Sequence, residues 1–369
     1  MKKTRALWIA LGISALLAFC GCAPAAPVAQ AVTEPPPTEA TEAPETTIPE
    51  TQPPTTEPPK DEVFTLSFVG DLTLASDARL VGGPYSFTGQ MNGDFSYPLK
   101  NVANYFLEDD LTLGNLECVL QTGGVMIKEN GFSFKCDPSY TEILTLGGVD
   151  VLTLANNHIN DYGRTGLDST IAALEDADLV GVQQNKNVLV TTDSGLNVGV
   201  TAFFFQTDLK TVEENVAELR EKGAEVIVAL IHWGSEGSYR VGTEQEKQAR
   251  AMIDAGVDIL CGSHPHVLQK LEDYNGGAIY YSLANFCFGG NHYPSDMDTA
   301  IIQQQVIRHP DGTIELGERT IIPCCVSSLS PRNNFQPTPY PKDHEAYQRV
   351  LSKLEGSYQY NGYLPKYPW

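Results

Sequence analysis

Basic residues are scarce in this chain: 24 Lys+Arg stand against 46 Asp+Glu over 369 residues, a formal charge of −22. A protein that neutralises a nucleic-acid backbone needs clustered Lys and Arg, so no nucleic-acid partner is expected. Beyond the first 22 residues no apolar run reaches the length of a membrane-crossing helix, which excludes a multi-span membrane protein. The GxSxG elbow of serine hydrolases and the GxxxxGK[ST] phosphate loop are both missing. Cysteine is sparse too. Cys118, Cys136, Cys261, Cys287, Cys324 and Cys325 make neither a dense disulfide framework nor a CxxC zinc pair. Most are expected to be small buried residues, with room for one bridge, and the neighbours Cys324 and Cys325 would strain to bond each other. Cys261 precedes His264 by three residues but falls inside a predicted strand, where an inert thiol is expected.

The first 60 residues stand apart in composition. Residues 1–22 join a basic tip (Lys2, Lys3, Arg5), an apolar stretch from Ala6 to Phe19, and Phe19-Cys20-Gly21-Cys22. The stretch is short for a membrane span and suits the core of a signal peptide. Gly21 directly before Cys22 resembles the bacterial lipoprotein cleavage box, which implies lipidation of Cys22 and a membrane-anchored protein at the bacterial cell surface. Residues 23–60 hold eleven Pro, eight Thr and six Glu without one aromatic residue. Such a segment cannot bury enough apolar area to offset its ordering entropy, so an extended, disordered linker is expected. The leader carries three positive charges and the linker six Glu against one Lys, leaving about −20 on residues 61–369.

From Asp61 onward apolar runs alternate with helix-period segments, which predicts an α/β layered fold without internal repeats. Strands are expected at Val63–Val69, Leu111–Leu116, Val149–Leu154, Val198–Phe205, Val226–Ile231, Val257–Cys261 and Ile279–Leu283. Helices are expected at Pro98–Leu107, Pro138–Leu146, Gly166–Ala177, 211–222 and 243–255. Thr299–Arg308 and Thr313–Ile322, split by Pro310-Asp311-Gly312, read as a hairpin.

The most informative residues lie at the strand ends. Asp71, then Asn115 and Glu117, then Asn156-Asn157-His158 with Asp161, then His232 with Glu236, and finally His264-Pro265-His266 each stand just past a strand end. Ligands of α/β sheets bind beyond the carboxyl ends of the strands. Four of the seven histidines fall at these ends beside carboxylates. A mixed imidazole and carboxylate set suits one or two borderline divalent ions, with Mn, Fe or Zn favoured. Trp233 is either a wall that orients His232 or a core plug. Asp161 either fixes the His158 tautomer or caps the next helix. Glu236 either supports His232 or is a solvated loop acid. Ser282 and Asn285 either line the site or form a turn, and His292, His309 and His344 are expected at the surface.

The ordered motifs Gly70-Asp71, Gly114-Asn115-Leu116-Glu117, Ala155-Asn156-Asn157-His158-x-x-Asp161-x-Gly163, His232-Trp233-Gly234-x-Glu236, His264-Pro265-His266-Val267 and Ser282-Leu283-Ala284-Asn285-Phe286 resemble the signature series of the CapA family. Ala284 stands where that series has Gly. The family is linked to poly-γ-glutamate capsule synthesis and is similar in fold to calcineurin-like metallophosphatases. The resemblance, from about residue 63 to 290, implies a four-layer α/β/β/α sandwich with one or two metals at its rim. It implies one metal on Asp71, His266 and a residue of the Asn115/Glu117 pair, and a second on Asn157, His232 and His264 with the same bridging residue. Asn285 and Glu236 are possible additions. His158 would act on a phosphoryl oxygen or a leaving group, and a metal-activated water would be the nucleophile.

Two departures bear on activity. Thr73 stands where metallophosphatases have the His of Asp-x-His, and Asn115 where they have Asp, so a weakened first metal site is expected. The leading expectation is a surface-anchored, metal-dependent hydrolase or transferase acting on an anionic capsule polymer or its precursor, alongside membrane synthase subunits. The alternatives are a non-catalytic component that binds polymer or synthase, and an extracellular phosphatase or phosphodiesterase on the same scaffold.

Overall fold

The computed structural model describes residues 8–9, 60–79, 82–127, 131–329 and 332–360. The expected leader and linker, Cys22 included, lie outside these residues apart from Trp8–Ile9 and Lys60. The rest is a mixed α/β architecture with two large sheets. The first has eight strands. Seven of them run in the order Thr338–Pro339, Ile314–Cys325, Asp298–Arg308, Glu62–Thr73, Leu111–Leu116, Val151–Thr153, Val180–Val182, and Asn285–Phe288 pairs separately with Glu62–Thr73. The second has seven, in the order Trp8–Ile9, Asn187–Thr191, Asn197–Phe204, Val226–His232, Ile259–Ser263, Gly277–Tyr280, Leu271–Tyr274.

One apolar core lies between the sheets: Leu66, Phe68, Leu111 and Leu113 of the first pack with Val198, Val200, Val228, Leu230 and Ile259 of the second. A second core sets Val69, Leu72, Leu116 and Leu152 against Phe106, Ile143, Leu144 and Leu174 from helices Ala103–Leu107, Thr141–Gly147 and Gly163–Asp176. A third sets Ile227, Ala229, Ile231 and Leu260 against Val212, Leu219, Met252 and Ile253 from helices Leu209–Glu221 and Thr243–Asp254. Each fully buried Leu, Ile or Phe contributes about 2–3 kcal/mol, which is why these faces, rather than helix propensity, hold the layers. Among the described residues no helix is long and apolar enough to cross a membrane.

The predicted elements recur with shifted ends. Pro98–Val102 forms turns and the helix starts at Ala103, while Pro138–Tyr140 is a 3₁₀ turn capped by the Asp137 carboxylate. The strand expected to reach Leu283 stops at Tyr280, because the Ser282 hydroxyl donates to the Val267 carbonyl at 2.9 Å and turns the chain. Val180–Val182, Asn187–Thr191, Leu271–Tyr274, Asn285–Phe288 and helix Glu345–Leu354 have no counterpart in the sequence-based expectation. All six described cysteines are buried free thiols, and the Cys118 and Cys136 sulfurs stand 3.9 Å apart without a bond.

A register irregularity between Phe68 and Asp71 positions the site. Side chains alternate along a strand, so Leu66 and Phe68 face the inter-sheet core and Val69 faces the helices. One extra residue flips that alternation. Leu72 then faces the helices, and Asp71 and Thr73 turn toward the second sheet. Gly70 is needed there, since a Cβ would stand 1.9 Å from the Ala284 carbonyl oxygen. Gly70→Ala should therefore cost about 3 kcal/mol or more by overpacking, measured as a lowered denaturation midpoint. Gly83→Ala, where a Cβ meets nothing within 4 Å, should stay within about 0.5 kcal/mol.

Candidate metal centre

Strand register brings the motif residues together. Asp71 pairs with Asn115 on one side and Asn285 on the other, and His232 pairs with Ser263 and Phe204. The chain then delivers His264 and His266 from a loop in which both residues take left-handed backbone, φ 99° and 55°. Such conformations are rare for residues with a Cβ and concentrate at functional sites.

Asp71 and Glu117 are both fully buried. Asn115 Nδ2 donates to Asp71 Oδ1 at 2.7 Å, and the Thr73 hydroxyl donates to Glu117 Oε2 at 3.1 Å. The other oxygens, Asp71 Oδ2 and Glu117 Oε1, are buried without a hydrogen-bond donor. His266 Nδ1 lies 3.3 Å from Asp71 Oδ2 and donates to Asn285 Oδ1 at 2.8 Å. Ligand atoms of Asp71, Glu117 and His266 all lie within 4.8 Å of one another. This is a tri-residue group able to hold a divalent metal.

The electrostatics point the same way. Burial and the neighbouring Asp71 push the Glu117 carboxyl up to about 8. Burial also opposes ionisation of Asp71, but the His266 hydrogen bond and charge outweigh it and hold this carboxyl below its usual range. Burial disfavours the His266 cation, yet Glu117 and Asp71 raise it to about 10. A proton on Glu117 and one on His266 thus stand where a cation would. The two orphaned oxygens and the mixed donor set fit a borderline divalent ion.

The second expected set lies against the first, with both His232 nitrogens engaged in hydrogen bonds. His232 is buried and held well below its usual pKa by desolvation. It is neutral: Nε2 donates to Asn157 Oδ1 at 2.7 Å, while Nδ1 accepts from Ser263 Oγ at 2.8 Å and faces Asn115 Nδ2 at 3.1 Å. Glu117 Oε1 is 3.6 Å from His232 Nε2. His264 packs against His232 with ring centroids 4.6 Å apart, and its Nδ1 is buried without a partner. The fold thus gathers Asp71, Glu117 and His266, the set expected to be weakened, and brings Asn157, His232 and His264 together beside it. Thr73 supports Glu117 rather than binding a metal, and the longer Glu117 side chain reaches where Asn115 cannot serve. Asn115 acts as a strut, accepting from Asn156 Nδ2 at 3.0 Å.

The remaining candidates separate clearly. His158 Nδ1 donates to Asp161 Oδ2 at 2.8 Å, which leaves Nε2 to exchange a proton. Asp161 also accepts from the Phe134 amide, and the helix after it is capped at Tyr162 without a side-chain bond, so Asp161 orients His158. Glu236 is exposed on its loop, and its charge reaches Glu117 and His264. Trp233 is a core plug whose Nε1 donates to the Tyr281 carbonyl at 3.0 Å. Ser282 is a turn residue, and Asn285 positions His266. His309 pairs with Asp61 and Glu315, His344 caps a helix, and His292 packs half-buried on Phe335. Cys261 is buried, with its thiol pushed far up by desolvation, and is no nucleophile. Sequence reasoning missed Thr73 as a support and missed Phe205, whose ring meets that of His264 edge-on at 5.2 Å.

The family model for bacterial capsule synthesis protein PGA_cap matches residues 65–290, which span every motif residue named above. The chain belongs to this family. Among relatives, capsule biosynthesis protein CapA of Bacillus anthracis is 29% identical over 306 residues, covering 74% of this chain and 70% of that protein. PGA biosynthesis protein CapA of Bacillus subtilis is 29% identical over 279 residues, covering 69% and 71%. Among solved structures, NAD nucleotidase (NadN) of Haemophilus influenzae aligns with TM-score 0.41 and 13% identity over 80% of this chain; the match spans 64% of that one, less than two thirds of its length. Within the PGA_cap match, Ala284 takes φ 61°, a left-handed backbone that favours glycine.

Metal binding to this group must displace protons from Glu117 and His266, whose pKa values of about 8 and 10 lie above neutrality. Affinity for Mn or Zn should therefore rise from pH 6 to pH 8 by about tenfold per pH unit for each proton released. Titration calorimetry in buffers of differing ionisation heat reads that release directly. Glu117→Gln should lose one of the protons and most of the affinity.

Proposed function

We propose that this PGA_cap-family chain is a surface-anchored, divalent-metal-dependent hydrolase or transferase that acts on an anionic capsule polymer of the poly-γ-glutamate type. In this reading residues 1–22 are a lipoprotein signal, Cys22 is the lipidated anchor at the bacterial cell membrane, and 23–60 is the stalk. Residues 61–369 form a metallophosphatase-type four-layer α/β/β/α sandwich. Membrane synthase subunits are the expected partners, in keeping with the capsule-biosynthesis names of the Bacillus relatives.

The observation that carries the reading is the pair of buried carboxylate oxygens, Asp71 Oδ2 and Glu117 Oε1, left without donors beside His266. Burying such groups unpaired costs several kcal/mol unless a cation answers them. Asp71, Glu117 and His266 would hold one ion, with Mn, Fe or Zn as the candidates, and Asn157, His232 and His264 border it and would hold any second. A bound ion supplies Lewis acidity and acidifies water. The chain's own residues do the rest. His158, fixed through Nδ1 by Asp161, presents Nε2 to hand a proton to the leaving group or hold a developing anionic oxygen. His232 is held neutral between Ser263 and Asn157, and burial keeps the neighbouring His264 imidazole below its usual pKa.

The test is turnover on γ-glutamyl amides set beside phosphomonoesters and phosphodiesters, with Mn supplied. We expect amide turnover that falls at least about 100-fold in His158→Asn while metal affinity is kept, with a smaller loss in Asp161→Asn. Turnover of phosphoesters alone would replace this reading with a phosphatase or phosphodiesterase. Bound metal without turnover on either panel would replace it with a polymer- or synthase-binding component.

A further inference from the structure

A cavity of about 310 Å³ opens where the strands Asn197–Phe204 and Val226–His232 end, walled by Phe205, Trp233 and Gly234. Phe205 links it to the histidines of the site: its ring meets the His264 ring edge-on at 5.2 Å, and its amide donates to the His232 carbonyl. We infer that this cavity is a substrate subsite for a segment carrying a carboxylate beside an amide link, with Arg240 as its anion-binding residue and Phe205 as its wall. This inference rests on the reading of the neighbouring centre as a substrate-processing site.

Arg240 also lines the cavity and is exposed. Arg79, Arg164, Arg220, Arg250, Arg308, Arg319 and Arg349 each have a carboxylate partner, and Arg332 lies over the Tyr85 ring. Among the described arginines, Arg240 alone has neither. In a chain of charge −22, a guanidinium left without an acidic partner stands out. Its planar fork matches a carboxylate in two-point contact. Glu244 borders the same cavity, and no ion pair joins it to Arg240. A ligand that offers a carboxylate to one and an amide N–H to the other satisfies both, and a simple anion does not.

Phe205 supplies the second, independent observation. It ends the strand Asn197–Phe204 with φ 53°, a left-handed backbone that is a genuine outlier for a bulky residue. Its amide donates to the His232 carbonyl at 2.8 Å, which holds the conformation in place. The side chain gains little burial from this strain, since it stays 43% exposed. Strain that presents an aromatic face to a cleft, rather than to a core, is the pattern of a binding surface. Methylene and amide planes of a polyamide chain would lie on that face, within reach of the amides of Gln206 and Gln248.

The test is calorimetric binding of a γ-linked glutamate oligomer to the metal-loaded full chain. It is set beside the same oligomer with its free carboxylates converted to carboxamides. Wild type should prefer the carboxylate form by about tenfold, Arg240→Gln should lose that preference, and Arg240→Lys should retain part of it. Phe205→Ala should weaken both oligomers alike. Equal affinity of wild type for the two oligomers, or an undiminished preference in Arg240→Gln, overturns the subsite whatever the turnover. Absent turnover with the preference intact overturns the catalytic reading and leaves the subsite standing.

Discussion

The structure turns on two carboxylates that the fold buries side by side. Ionised and without a cation, Asp71 and Glu117 would cost several kcal/mol; among the described residues Asp71 Oδ2 and Glu117 Oε1 lack a hydrogen-bond donor, and only the His266 ring, 3.3 Å from Asp71 Oδ2, stands close as a charge partner. The surroundings hold this arrangement rather than relieve it. The irregularity before Asp71 turns its side chain inward, Gly70 lets the Ala284 carbonyl approach, and Asn115 and Thr73 each fix one oxygen and leave the other open. His264 and His266 take left-handed backbone to reach the same place. Strain, burial and orphaned acceptors that coincide at one spot describe a preorganised cation site.

Much of this was legible in the sequence, because strand ends carry their own signal. Apolar runs marked where the strands stop, and the rule that ligands gather beyond carboxyl ends placed Asp71, Glu117, His232, His264 and His266 on one rim. The spacing of His158 and Asp161 left their pairing open beside a helix-capping role, and the 2.8 Å hydrogen bond decides for the pairing. What escaped depends on register and on backbone geometry. Thr73 looked like a lost ligand, yet a single-residue bulge turns it toward Glu117 as a donor. Glu236 belongs to a motif but is exposed, acting on Glu117 and His264 through its charge alone. Phe205 read as the last residue of a strand, and no composition rule foretells a phenylalanine at positive φ. Short strands such as Val180–Val182 escaped because three residues carry no period.

For the anionic polymer proposed as substrate, the acidic balance of the chain means long-range repulsion that slows its approach. Local charge answers it at short range. A cation held by Asp71, Glu117 and His266 would add positive charge at the site, and Arg240 stands without an acidic partner on the cavity lined by Phe205. Elsewhere, charge serves structure. Lys353 of the Glu345–Leu354 helix is buried between Asp296 and Asp298 at 2.6 and 2.7 Å, with Arg349 and Tyr340 also on Asp298. That network fastens a helix beyond the family match to the strand at Asp298–Arg308.

The most direct test of the account is the metal content of the purified chain beside that of Asp71→Asn, after reconstitution with Mn, Fe or Zn. The account predicts near-stoichiometric divalent metal in the wild type and its loss in the variant, because the amide removes the anion and leaves the surrounding geometry in place. A folded wild type that retains none of the three metals, or a variant that retains as much as the wild type, would contradict it.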